Sequence, residues 1–222
     1  MPTQGDRKMT IGVIGAGSLG THLSRAFANH GVEAVLAGRQ GPEALAALIS
    51  ELGPSIRAGT VEEATKQDIV VLAVRWEQLD TLLAGLPAWD NRIVIDATNP
   101  VVRVEPGTPE ADSANNPLAA YGIKAVDLGN SHSSAKVRDR MPGARLVKAF
   151  NHFPVELLPI PKVGDAQRVL FYSGDDAEAK ARVHQLIEKI GFFPTDLGKL
   201  DVGGPLASLP FGSLAGNNFA KL

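Results

Sequence analysis

The sequence predicts a doubly wound α/β fold built on a mainly parallel sheet, and three observations support this prediction. Short apolar runs alternate with segments whose apolar residues recur at helical spacing, which is the pattern of strands joined by crossover helices. Residues 69–74 are apolar throughout, as expected for a strand that helices cover on both faces. A length of 222 residues allows one large domain with a small appendage.

These patterns place strands and helices in alternation along the chain. The strands are expected at residues 10–14, 32–37, 69–74, 92–96, 145–150 and 169–172. The helices are expected at residues 19–30, 42–52, a short stretch from 60, 79–86, 131–141 and 176–190. Thr60 with Glu63, and Asp175 with Glu178, have the spacing of capping boxes that begin two of these helices. Gly31 and Gly191 are placed to end the first helix and the last.

Two segments lack a clear periodicity. Proline and asparagine cluster within residues 98–129, which we expect to form a long, site-forming loop with a short helix near 118–121. Residues 192–222 are rich in glycine and proline, so we expect them to be mostly irregular.

Composition and charge exclude several classes of function. A net charge of −2 argues against nucleic acid and against an anionic membrane surface as partners. Cysteine is absent, so redox chemistry requires a bound cofactor. The histidines have no metal-ligand spacing, and no motif marks a catalytic acid–base pair, so we predict neither a metal site nor a catalytic side chain. No signal-like segment or long apolar run occurs, from which we expect a cytoplasmic protein without a membrane helix.

A glycine-rich motif follows the first expected strand and opens the first helix. Its pattern is G-x-G-x-x-G, formed by Gly15, Ala16, Gly17, Ser18, Leu19 and Gly20. In this context the first glycine permits a tight turn, the second lets a pyrophosphate approach the backbone, and the third lets the helix pack close to the strand. The helix N-terminus then offers unpaired N–H groups to the phosphates. The motif predicts a dinucleotide site of the Rossmann type.

The end of the second strand predicts which dinucleotide binds. Sites for NAD place an acidic residue there, whereas this chain has Gly38 and Arg39. A guanidinium can pair with a 2′-phosphate, and a glycine leaves room for it, so NADP(H) is favoured over NAD. The alternative, that Arg39 is a solvated loop residue, stays open.

At this point the sequence resembles the NADPH-dependent coenzyme F420 reductase family, also described as F420H2:NADP oxidoreductases. The segments that carry the resemblance are residues 11–20, 37–39, 96–100, 147–151 and 173–192, which together extend over nearly the whole chain. The resemblance implies hydride transfer between NADP(H) and a deazaflavin (F420-like) or flavin-like partner, in a homodimer.

The resemblance also implies roles for particular residues. The pyrophosphate would lie on residues 15–20 and the 2′-phosphate on Arg39, while the nicotinamide side would be formed by Ala73, Val74, Arg75, Asn99 and Pro100. Asn151 and His152 follow a late strand on the same side of the sheet, where they would touch the second substrate or else only shape the turn before Pro154. Lys148 belongs to a basic run that we expect to be a solvated face.

These inferences divide the chain into three parts. Residues 1–9 would be a disordered extension, 10–150 an NADP-binding domain, and 151–222 a small C-terminal α/β region for substrate and dimerisation. The sequence therefore predicts an NADP-dependent oxidoreductase. The alternative is a non-catalytic NADP(H) sensor or scaffold that binds the cofactor without turnover.

Overall fold

The structure, a computed structural model, describes residues 9–222. The extension expected over residues 1–9 lies, apart from Met9, outside the described residues. The strands, in chain order, are β1 (Ile11–Ile14), β2 (Ala34–Ala37), β3 (Ile56–Gly59), β4 (Ile69–Leu72), β5 (Ile93–Asp96), β6 (Val101–Arg103), β7 (Ile123–Ala125), β8 (Arg145–Ala149), β9 (Lys162–Val163), β10 (Ala166–Gly174), β11 (Phe193–Asp196) and β12 (Ala220–Lys221). The α-helices are α1 (Ser18–Asn29), α2 (Ala46–Leu52), α3 (Val61–Thr65), α4 (Leu79–Ala84), α5 (Ser133–Asp139), α6 (Ala177–Lys189) and α7 (Leu200–Ala207).

One large sheet organises the molecule, with strand order β11-β10-β8-β5-β4-β1-β2-β3. From β8 to β3 all neighbouring strands are parallel, whereas β10 runs antiparallel to β8 and parallel to β11. The predicted α/β fold with a mainly parallel sheet is confirmed. The chain order reverses direction between β1 and β4, and such a reversal opens a crevice at the carboxyl ends of the strands.

Helices cover both faces of this sheet. On one face α1, α2 and α6 pack against alternate strand residues such as Val13 and Val71. On the other face α3, α4, α5 and α7 pack against the intervening residues, such as Ile14 and Val70. Successive side chains of a strand point to opposite faces, so a strand covered on both sides must be apolar at every position. This accounts for the continuous apolar run of β4.

Residues 192–222 are irregular over more than half of their length, as expected, but they also contain elements that the sequence did not predict. These are β11, α7 and the two-residue β12, although Pro194 lies in β11 and Pro205 in α7. Helix α7 also contains Gly203, where a Cβ atom would lie 2.5 Å from Leu197 Cβ and 2.6 Å from Ser173 Cβ. Close packing against these neighbours therefore fixes a helix that intrinsic propensity disfavours.

Other strands were also absent from the sequence prediction, namely β3, β6, β7 and the two-residue β9. Strand β3 lies at the sheet edge, where its exposed Arg57 obscures the apolar pattern. The loop expected over residues 98–129 contains the short 3₁₀ helix Ala119–Tyr121, near the expected position, and a hairpin of β6 and β7 that forms a separate two-stranded sheet.

The region after residue 150 continues the same sheet. The boundary expected there falls between β8 and β10, which pair directly, with Tyr172 opposite Ala149. Strands β9 and β12 then extend the start of β10 with short antiparallel pairings. Because β10 runs antiparallel to β8, the segment that joins these two strands begins at the same carboxyl edge as the glycine-rich turn.

Candidate functional site

The glycine-rich turn is tightly packed at two of its three glycines. Gly15 has φ +115°, and a Cβ atom there would lie 2.2 Å from the Ala73 carbonyl oxygen. A Cβ atom at Gly20 would lie 1.8 Å from the Gly15 carbonyl oxygen. Both positions therefore require glycine for the fold itself, which holds α1 close to β1 and β4.

Gly17 differs, because among the described residues no atom beyond its chain neighbours and the backbone of α1 lies within 4 Å of the position its Cβ would take. It is the N-cap of α1, and within residues 9–222 no side chain forms a capping hydrogen bond at this end of the helix. The first turn also contains no acidic residue. The free N–H groups and the positive end of the helix dipole thus face an open space that suits a phosphate.

The end of β2 lies beside this turn. A Cβ atom at Gly38 would come 3.3 Å from Ala16 Cβ, so the two loops are in near contact. Arg39 follows with an exposed side chain, and no hydrogen bond or ion pair joins it to another group of residues 9–222. The residues that follow β2, Gly38 to Gln40, include no acidic side chain. The guanidinium of Arg39 is available for an anion in the crevice.

A groove of about 240 Å³ lies next to the turn, on the β4 and β5 side. It is lined by Leu19 and Ile123 and by residues 74–77, 97–99 and 101–103. Of the residues expected on the nicotinamide side, Val74, Arg75 and Asn99 line the groove, whereas Ala73 and Pro100 are buried behind it. The groove also includes residues that the sequence analysis did not single out, namely Trp76, Glu77, Ala97, Thr98, Val101, Val102, Arg103 and Ile123. The last five belong to the segment 98–129, which was expected to form part of a site. The hairpin β6–β7 supplies several of these, and only its strand pairing brings Ile123 opposite Arg103.

Asn99 and Asn151 join two loops through their side chains. Asn99 Nδ2 donates to the Asn151 carbonyl oxygen at 2.8 Å, and Asn151 Nδ2 donates to Asn99 Oδ1 at 3.0 Å. Asn99 Oδ1 also accepts from the Leu209 N–H at 3.0 Å, which ties in the segment after α7. Phe150, next to Asn151, has φ +65°, a strained conformation for a bulky residue. Asn151 is thus fixed near the groove, and its buried Oδ1 has no protein partner within residues 9–222.

His152 has no exposed surface and does not face the groove in this conformation. Its Nε2 accepts a hydrogen bond from the Phe171 N–H at 3.1 Å, and its ring lies between those of Phe153 and Phe171. Burial lowers the pKa of His152 to about 3, so the imidazole is neutral near pH 7. This buried position favours the second of its two interpretations, that of a residue that shapes the turn.

Lys148 is not part of a solvated basic face, which corrects the sequence expectation. It lies on β8 with 1% of its side chain exposed, and its Nζ is 3.0 Å from Oδ2 of the buried Asp96. Burial lowers the pKa of Lys148, and the carboxylate of Asp96 opposes that shift. Other members of the run, Arg140 and Arg145, do lie at the surface, in ion pairs with acidic residues.

The described residues contain no cluster of three or more histidine and acidic side chains that could hold a metal ion. In the same part of the chain, no helix combines the length and apolarity needed to cross a bilayer. What remains at the carboxyl edge is an open space at Gly17, an exposed guanidinium and a groove with a largely apolar lining. This arrangement can bind a dinucleotide and align its ring with a second one.

Comparisons with known sequences agree with this geometry. Residues 10–100 match the family model described as NADP oxidoreductase, coenzyme F420-dependent. Over 207 residues the chain is 27% identical to metalloreductase STEAP2 of Homo sapiens, an alignment that covers 92% of this chain and 36% of that protein. The chain therefore spans little more than a third of the length of this curated relative.

Two solved structures resemble the chain over most of its length. A hypothetical protein of Sinorhizobium meliloti is 31% identical, with a TM-score of 0.83 and 97% of each chain covered. A proposed F420-dependent NADP reductase of Arthrobacter sp. FB24 is 24% identical, with a TM-score of 0.67, covering 87% of this chain and 85% of that one. At that identity the second likeness concerns the fold alone.

Proposed function

This chain belongs to the family of coenzyme F420-dependent NADP oxidoreductases, and on that premise we propose that it transfers a hydride between NADP(H) and a deazaflavin or flavin-like acceptor. Membership confirms the resemblance seen in the sequence, and NADP(H) is the cofactor of the family. The single observation that supports the proposal best is the open space at Gly17, because its neighbour Ala16 lies beside Gly38, which precedes Arg39, and Leu19 of the same turn lines the groove.

The residues at the carboxyl edge fit a dinucleotide phosphate. Backbone N–H groups at the start of α1 would hold the pyrophosphate, because Gly17 presents no side chain there. Arg39 would pair with the 2′-phosphate, and Gly38 and Ala16 would form the surface beside it. The proposed pyrophosphate contacts are thus residues 15–20, as the sequence predicts.

The groove would hold the reacting rings. Bound NADPH supplies a hydride, that is two electrons and a proton, and is left as NADP⁺ while the acceptor ring is reduced. Leu19 and Val74 offer apolar surface on which a nicotinamide can lie, and Asn99 borders it. Because no proton has to be removed by the protein, alignment of two rings and exclusion of water are the main tasks of these side chains. Trp76 and Arg103 line the same groove and are available to an aromatic, negatively charged acceptor, whereas the guanidinium of Arg75 lies 4.0 Å from the carboxylate of Glu77.

We keep Asn151 as a proposed contact of the second substrate. Asn151 is 4% exposed, and its Oδ1 is an unused acceptor within residues 9–222. Buried acceptors normally have a partner, so a ligand N–H or a water molecule would be accommodated there. His152 would act on the same loop only indirectly, through its bond to the Phe171 N–H. The homodimer implied by the resemblance, and a cytoplasmic location, stay predictions.

Titration calorimetry with NADPH and NADH tests the cofactor assignment. Arg39→Ala should weaken NADPH binding by about 10- to 100-fold, because a hydrogen bond to a charged group is worth about 1.5–3 kcal/mol. Its affinity for NADH should stay within about twofold of the wild type. Arg57→Ala is the matched control, since this exposed arginine of β3 borders a different pocket. Equal affinities of the wild type for the two cofactors, unchanged in Arg39→Ala, would contradict the assignment.

A panel of electron acceptors then tests the reaction itself. F420, FMN, FAD, a quinone and a ferric chelate are offered with NADPH, and its oxidation is followed by absorbance. We expect turnover with the deazaflavin or with a flavin. Tight NADPH binding without turnover of any acceptor would instead indicate the sensor or scaffold alternative.

A further inference from the structure

Lys148 and Asp96 form a buried ion pair to which the proposed function assigns no role. The side chains are 1% and 0% exposed, and 3.0 Å separates Lys148 Nζ from Asp96 Oδ2. The cost of removing two charges from water offsets most of their attraction, so such a pair adds little to stability compared with apolar residues of the same size. Stability alone therefore does not explain this pair, and its hydrogen bonds to neighbouring residues indicate its role.

Thr98 is the residue that the pair holds. Asp96 Oδ1 accepts hydrogen bonds from the Thr98 N–H at 2.9 Å and from the Thr98 hydroxyl at 2.7 Å. Lys148 Nζ donates to the Thr98 carbonyl oxygen. The backbone donor, the backbone acceptor and the side chain of Thr98 are thus all occupied by two charged groups. Hydrogen bonds to charged groups are stronger than neutral ones, so this segment has little freedom to move.

Thr98 lies in the wall of the groove. Residues 97–99 line the groove directly, and the next side chain, Asn99, is held from the other side by Asn151 and Leu209. This wall, residues 97–99, is therefore held at Thr98 by the ion pair and at Asn99 by the carboxamide of Asn151. A wall that is ordered before a ligand arrives spares the ligand the entropic cost of ordering it.

We propose that Lys148 and Asp96 are positioning residues that hold residues 97–99 in the shape that receives the nicotinamide half of NADP(H). This inference rests on the proposed function, because it takes the groove as the nicotinamide site. Neither side chain reaches the ligand, so both act through Thr98 and Asn99. The adenosine half, at Gly17 and Arg39, lies outside their reach.

The double variant Lys148→Met/Asp96→Asn tests the proposal. It removes both charges together, and so avoids the uncompensated buried charge that either single variant would leave. Two probes are titrated, NADPH and 2′-phospho-ADP-ribose, which lacks the nicotinamide ring. Affinity for 2′-phospho-ADP-ribose should stay within about twofold of the wild type, whereas affinity for NADPH should fall by about tenfold. A purely structural pair would change both affinities together or neither.

A matched control uses another ion pair of the same composition. Lys180 Nζ lies 2.8 Å from Asp196 Oδ2 near the β11 edge of the sheet, so Lys180→Met/Asp196→Asn should leave both affinities unchanged. If the first double variant fails to fold, Thr98→Gly is used instead, because it keeps the ion pair but makes residues 97–99 more flexible. This variant should likewise lose affinity for NADPH and keep its affinity for 2′-phospho-ADP-ribose.

Three outcomes would overturn the proposal. The first is a folded double variant, or a Thr98→Gly variant, whose ratio of the two affinities equals that of the wild type. The second is a wild type that binds NADPH no better than 2′-phospho-ADP-ribose, which would leave the assignment of Arg39 intact. The third, a wild type that binds neither probe, would refute the proposed function itself together with the inference.

Discussion

Alanine substitutions at Gly17 and Gly20 should have different effects, because Gly20 is needed for close packing of the fold and Gly17 leaves room for a ligand. At Gly20 the new methyl group would lie 1.8 Å from the Gly15 carbonyl oxygen, where ordinary contact begins at 3.4 Å, so α1 and the turn must separate by about 1.6 Å. Such overpacking costs about 1–3 kcal/mol. We therefore expect Gly20→Ala to lower the free energy of unfolding by at least this amount.

At Gly17 the same methyl group meets, among residues 9–222, no atom within 4 Å beyond its chain neighbours and the backbone of α1, and φ is −82°, which alanine adopts without strain. Reduced freedom of the unfolded chain favours alanine by about 0.4–1 kcal/mol, while its weakness as an N-cap acts in the opposite direction, so the net change should be near zero. The methyl group would occupy the space assigned to the pyrophosphate. NADPH affinity should then fall by about tenfold or more, which corresponds to about 1.4 kcal/mol.

Urea unfolding followed by tryptophan fluorescence measures the first quantity, and titration calorimetry with NADPH measures the second. The two variants serve as controls for each other, since one should lose stability and the other affinity. A Gly17→Ala protein that binds NADPH like the wild type would refute the phosphate site. A Gly20→Ala protein as stable as the wild type would refute the argument from close packing.

Two further predictions concern stability. The pKa of His152 is about 3 in the folded protein and near 6.5 when unfolded, so the unfolded state takes up a proton first and stability is lost as the pH falls from 6.5 towards 3. Urea unfolding at several pH values should show that the free energy of unfolding of the wild type falls more steeply over this range than that of His152→Gln, by up to about 1.4 kcal/mol per pH unit. If the free energies of unfolding of the two proteins depend on pH in the same way, the burial argument is wrong. The Thr60 hydroxyl caps α3 as part of a capping box. Thr60→Ala should therefore lower the free energy of unfolding by about 1 kcal/mol, whereas Thr60→Ser should leave it nearly unchanged. Thermal unfolding of both variants tests this.

The sequence predicted best those features that depend on neighbouring residues. The turn at 15–20 and the helix after it follow from local backbone chemistry, and the structure has α1 at Ser18–Asn29. The apolar run of β4 likewise predicted a central strand, because burial on both faces leaves a direct mark on the sequence.

Features that depend on distant residues could not be predicted in this way. Asn99 and Asn151 are 52 positions apart, and so are Asp96 and Lys148. Nothing in the spacing of either pair indicates contact, because the pairing of β5 with β8 brings them together. Lys148 was misread for this reason, since a lysine in a basic run is usually solvated. The hairpin wall of the groove escaped prediction because its strands have only three residues each.

The strand β11 ends the sheet, and its sequence has a consequence for how the molecule associates with others. The Leu197 N–H donates to the Tyr172 carbonyl oxygen, so in this parallel pairing alternate residues before it, Thr195 and Phe193, also face β10. Pro194 therefore faces outward, at a position where a further strand would need an N–H donor that proline lacks. An incoming strand would also meet Asp196, whose carboxylate binds Lys180. This edge of the sheet resists extension by another chain, and the protein is protected there against aggregation by strand addition.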